Sequence, residues 1–190
     1  QSTLYDKLGS ENQTNWDIGT AGRADILRGS DIRANVYYDS LHESRTSPDE
    51  PGLVAKPTAF TLFHADAAVD HKPDRFGITV GAALDDYRYD NTPLIGGGQL
   101  DNSGRNEDVY TIYSRASYDF SPGYSGFVAA SYEDRNFQKT LDLNGDRRDS
   151  TGYRIDVGTQ FFVSHRLQGQ AFAGYLSQSF ETPLRSIHSV

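Results

Sequence analysis

Apolar and polar positions alternate two by two through almost the whole chain, and helical periodicity is nearly absent. In TGYRIDVGTQF (Thr151 to Phe161), Tyr153, Ile155, Val157, Thr159 and Phe161 share one side of an extended ribbon. Arg154, Asp156, Gly158 and Gln160 share the other. RFGITVGAALD sets Phe76, Ile78, Val80, Ala82 and Leu84 against Gly77, Thr79, Gly81, Ala83 and Asp85. The stretch from Asn15 to Leu27 sets Trp16 and Ile18 against Asp17, Arg23 and Asp25. The pattern predicts eight strands, near residues 15–27, 32–43, 59–70, 75–88, 108–120, 124–136, 151–162 and 167–180.

The connections are of two kinds, and they alternate. RGSD (28–31), HKPD (71–74), SPG (121–123) and VSHR (163–166) are short turns, where Gly, Pro, Ser and Asp supply hairpin dihedrals. Residues 44–58, 89–107 and 137–150 form long polar loops. Short turns therefore gather at one end of the sheet and long loops at the other. The repeating unit is one hairpin plus one loop, which gives an antiparallel up-and-down meander.

Two architectures fit such a meander. A soluble β-sandwich turns its apolar face inward, whereas a transmembrane barrel turns it to lipid and lines its lumen with the polar face. Three features favour the barrel. Loop lengths are segregated by end. The polar face mixes small residues with balanced Arg and Asp, and the four Lys residues fall outside strand centres. Aromatics such as Trp16, Tyr38, Phe76, Tyr118 and Tyr175 gather toward strand ends, as interfacial girdles do. On this reading Trp16, Ile18, Phe76, Ile78, Val80, Tyr124, Val128, Tyr132, Tyr153, Ile155, Val157 and Phe161 face lipid. Arg23, Asp25, Arg33, Asp66, Arg75, Asp85, Arg115, Glu133, Arg135, Arg154 and Asp156 line the lumen. A wide barrel would use them to bias solute passage; a narrow one would use them as a salt-bridged plug. The competing architecture is a soluble β-sandwich that binds carbohydrate.

Composition sharpens this picture. The 190 residues carry a formal net charge of −8, which argues against a nucleic-acid partner. Cysteine is absent, so disulfides and thiol-ligated metals are excluded. No run of apolar residues is long enough for a membrane helix, but a membrane strand needs only about 9–11 residues with one apolar face. The chain opens on Gln1, as expected of a mature, trimmed or internal portion of a longer product.

LHESRTSPDEPG with KPTAF (Leu41 to Phe60), and above all Glu43, Arg45, Ser47, Pro48 and Asp49, resembles the first long loop of a family of proteobacterial outer-membrane β-barrel proteins, the second type of β-barrel porin. GYRIDVGTQFFVSHRLQGQAFAGYLSQSFETP (Gly152 to Pro183) is similar to a later hairpin of that family. The resemblance implies a single barrel domain in the outer membrane of a Gram-negative bacterium, non-enzymatic and without a cofactor. It further implies contact with outer-membrane lipid and lipopolysaccharide, and with other envelope or export proteins, since some members are linked to exopolysaccharide export. Members are longer than this chain, and such barrels end on an aromatic strand residue, whereas this chain ends LRSIHSV. Residues 1–190 are therefore expected to be one barrel domain of about eight strands, part of a larger barrel and lacking its closing strand. The alternative is a complete eight-stranded barrel whose interior is filled by side chains, with no open channel.

The remaining motifs carry less. DLNGDRRDS (142–150) opens like a calcium loop but lacks the Gly and Glu positions of an EF-hand. LIGGGQLDNSG (94–104) lacks the Lys-Ser/Thr of a phosphate loop and reads as a mobile loop. GFVAAS (126–131) is followed by no helix, so it is not a nucleophile elbow. His42, His64, His71, His165 and His188 have no ligand spacing between them, and no metal site is expected. His64 is placed to meet Asp66 on the inward face.

Overall fold

The computed structural model describes residues 2–3, 12–45, 54–139, 147–164, 167–180 and 187–189. Eight long strands dominate it: β1 (Trp16–Leu27), β2 (Ser30–His42), β3 (Ala59–His71), β4 (Phe76–Tyr89), β5 (Glu107–Ser121), β6 (Tyr124–Phe137), β7 (Ser150–Ser164) and β8 (Leu167–Phe180). Each lies within two residues of the span that alternation predicts. All neighbours are antiparallel and follow chain order, so the sheet is a pure meander, with Ile187–Ser189 added beside β8. Among the described residues β1 and β8 do not pair, and the sheet is open.

The turn end is built as the residue types require. β1 and β2 are joined by Arg28 and Gly29, and β5 and β6 by Pro122 and Gly123. Gly29 and Gly123 have φ of 72° and 79°, where a Cβ would be strained. The fourth expected turn, 163–166, lies partly outside the described residues.

The largest fully buried side chains are not in the sheet. Val54, Pro57, Thr58, Thr92 and Asn102 belong to the long connections. Here the structure corrects the expectation of a mobile loop over 94–104. Thr92–Pro93 pairs with Gln99–Leu100, Leu94 bridges to Val54, and Ser103–Arg105 forms a 3-10 turn. Asn102 is 2% exposed and donates from Nδ2 to the Asp90 carbonyl (2.8 Å) and to Thr92 Oγ1 (3.0 Å). The polar side chains that suggested solvation instead satisfy buried backbone. Within this connection Gly96, Gly97 and Gly98 stand in open space, all at positive φ.

Within the sheet, the buried apolar side chains Ala68, Val109 and Phe127 lie on one face. Gly81 is buried on that face beneath the ring of its cross-strand partner Tyr113, and a Cβ there would overlap the ring. Gly81→Val should therefore destabilise the fold by about 1–3 kcal/mol. The check is a urea midpoint in detergent micelles, and an unchanged midpoint would show that the ring does not need this seat.

Candidate functional site

The register separates two faces over all eight strands, because directly opposed residues point the same way. One row runs Ala24, Ile32, Val69, Val80, Ser114, Ala130, Ile155, Tyr175. The row beside it, on the other face, runs Asp25, Asp31, Asp70, Thr79, Arg115, Ala129, Asp156, Gly174. A single residue step exchanges an apolar surface for a charged one.

The apolar face is the exposed one. Ile18 is 66% exposed and Val157 59%, while Phe127 on the polar face is 5% exposed. All twelve residues expected to face lipid lie on the exposed face. Its aromatics form two belts. Tyr118 and Tyr110 on β5, Tyr124 and Tyr132 on β6, and Phe161 and Tyr153 on β7 are each eight residues apart. Eight residues span about 27 Å along a strand, or roughly 20 Å along the membrane normal at ordinary barrel tilt, near the height of an apolar band. Ring pairs strengthen both belts: Trp16–Tyr38 (5.6 Å) and Tyr153–Tyr175 (6.0 Å) at the loop end, Phe120–Tyr124 (6.4 Å) at the turn end. Between the belts this face carries no Asp, Glu, Lys or Arg among the described residues, and its one imidazole there, His71, closes β3 at the turn end opposite Ile78, bonded to Ser30 (2.6 Å). Asp86, Arg88, Asp108 and Asp134 follow only beyond the loop-end belt, with Arg88 bridging Asp86 (2.8 Å) and Asp108 (2.6 Å).

The polar face is concave. Arg33 on β2 and Asp156 on β7 line one cavity of about 250 Å³ with Thr79, Tyr113, Arg115 and Ser131. In a flat sheet those two strands would stand about 24 Å apart, so the sheet curls around its charged side. Arg115 also crosses from β5 to Gln160 on β7 (3.5 Å) while its guanidinium covers the Phe127 ring at 3.6 Å.

Ten of the eleven expected lumen residues lie on this inner face, most of them in ion pairs. Arg23 reaches Asp25 (3.1 Å) and Asp31 (3.0 Å), and Arg33 reaches Asp70 (2.9 Å). Arg135 holds Glu107 (2.8 Å) and Glu133 (3.2 Å), and Arg154 holds Asp156 (2.7 Å). His64 meets Asp66 at 3.3 Å, as expected, and also Asp85 at 2.6 Å, with Tyr37 stacked on its ring at 4.5 Å. Arg75 is the exception: it sits in the exposed turn before β4, where its carbonyl accepts from the Asp119 amide (2.9 Å). Alternation carries its parity past the strand end, but register stops at Phe76. Sequence reasoning missed Asp31, Asp70, Glu107, Tyr37 and Tyr113, which share the inward parity of the residues it selected.

At the loop end the connections fold over the inner face. Arg105 donates to Glu43 from both terminal guanidinium nitrogens and covers the Tyr89 ring at 4.1 Å. Arg148 covers Phe137 at 4.2 Å. Tyr89 and Phe137 are inner-face residues, so the long connections lean across the mouth of the concave side. Lys139 and Ser103 hold the exposed Asp101 carboxyl well below the usual carboxylate range. The calcium-like stretch 142–150 lies largely outside the described residues, as do His165 and the side chain of His188. Among the described residues no three His, Cys, Asp or Glu groups stand close enough to hold a metal ion.

A curled antiparallel meander with an exposed apolar face and an ionic concave face is the wall of a β-barrel of the porin type. The family model described as Putative beta-barrel porin 2 matches residues 1–189, and the chain belongs to that family. No curated protein and no solved structure matches the chain.

Proposed function

We propose that the protein is an outer-membrane β-barrel whose charged interior gives hydrophilic solutes, polysaccharide among them, a passive route through the membrane. One observation carries the reading: among the described residues, every Asp, Glu, Lys and Arg side chain between the aromatic belts is on the concave face. Acyl chains suit the outer surface and water suits the inner one. A sandwich would need a second sheet against the exposed apolar face, and the described residues contain none. The free edge of β1 exposes backbone groups that hydrocarbon does not tolerate, so the inserted form gains pairing there. The belts would sit at the two headgroup levels, and the loop layer would meet lipopolysaccharide and any envelope partners. Membership in a porin family favours transport over catalysis.

Planar-bilayer recording of the full-length protein tests this. Stepwise conductance, together with heat-modifiable mobility on gels, is the expected result. A protein that is monodisperse in plain buffer and inert in bilayers would overturn the membrane reading. A heat-modifiable barrel without conductance would leave a structural role in an envelope assembly.

A further inference from the structure

Charge on the inner face is unevenly divided between the two halves of the sheet. Asp119 is set aside here, because Lys72 of the neighbouring turn neutralises it at 2.8 Å. The inner faces of β5 to β8 then carry three carboxylates and three guanidinium groups, net zero. The inner faces of β1 to β4 carry seven carboxylates against Arg23 and Arg33, net −5.

The uncompensated groups can be named. Asp17 and Asp39 are directly opposed on β1 and β2, two like charges with no ion pair to a cation among the described residues. Asp66 and Asp85 share a single imidazole, that of His64. On the balanced half, Arg115 has no carboxylate partner among the described residues and rests on Phe127 and Gln160.

Resting on the passage reading above, we infer that the lumen favours cations over anions, with Asp17 and Asp39 the main determinants. Fixed carboxylates on a low-dielectric wall raise the local cation concentration and repel anions. The same wall works against polyanionic cargo. Salt screens such a field, so the preference grows as ionic strength falls from about 1 M, where the Debye length is about 3 Å, to about 0.01 M, where it is about 30 Å.

Reversal potentials of the full-length protein across a KCl gradient test the inference. Potassium should be favoured over chloride by about threefold or more in dilute salt, with the ratio falling toward unity in concentrated salt. The double variant Asp17→Asn with Asp39→Asn removes a like-charge contact, so it should fold, and heat-modifiable mobility verifies that. It should lower the ratio about twofold, whereas Arg115→Gln should raise it. Conductance with no preference, or with chloride preferred, overturns the selectivity and leaves the passage reading standing. Absence of conductance overturns both.

Discussion

Val157→Arg should destabilise the protein in phospholipid vesicles by about 2–4 kcal/mol, the cost of an arginine near the middle of the hydrocarbon. Val157 lies between the aromatic belts on the outer face, with Val128 and Ala173 opposite it on the neighbouring strands. It is 59% exposed, so the substitution leaves no cavity and forces no overlap. Its cost therefore reports only the medium that surrounds the face. In water the same change would fall within about 0.5 kcal/mol of zero. Thr111→Arg is the matched control. Thr111 lies on the inner face opposite Glu133, so an arginine there meets water and a carboxylate and should cost less than about 1 kcal/mol. Urea unfolding from vesicles can follow Trp16, the single tryptophan, which sits in the loop-end belt. Equal, small costs at both positions would mean that the apolar face is not bathed in lipid.

The same two positions show why the strands were legible. Thr111 and Val157 obey a period of two that local sequence fixes, and burial is distributed by that period alone. Every strand could be placed without knowing its neighbours. Pairings across strands could not. Arg33 finds Asp70, and His64 finds Asp85, only through register, which depends on turn geometry rather than on either residue's surroundings in the chain. The loop layer was least legible. Thr58, Thr92 and Asn102 have the composition of solvated loops, and each is buried by partners that lie on other connections or across a turn. Composition reports the average environment of a residue type; it does not report a polar group's specific partner.

Arg105→Ala should loosen the loop layer while leaving the sheet intact. Glu43 follows β2, and Arg105 closes the short 3-10 turn before β5, 62 residues later. The Glu43 side chain is only 9% exposed, so removing its partner strands a carboxylate with little water to solvate it. Arg105 keeps some solvent contact at 21% exposure, which reduces the expected cost to about 2–3 kcal/mol rather than the larger figure for fully buried pairs. That cost corresponds to roughly a 30- to 150-fold larger open population of the loops. Limited proteolysis should therefore cut within 43–58 and 90–106 faster by about that factor, with heat-modifiable mobility of the barrel unchanged. Arg105→Lys keeps the charge but loses the bidentate fork and the planar contact with Tyr89, so it should fall between the two. Reversing both charges, Glu43→Arg with Arg105→Glu, should recover part of the protection. Tyr89 belongs to the inner face, so this clamp sets how far the loops reach over the lumen mouth, and its loss should also make single-channel current noisier. Unchanged cleavage in Arg105→Ala would show that the buried threonines and Asn102 hold the layer without the ion pair.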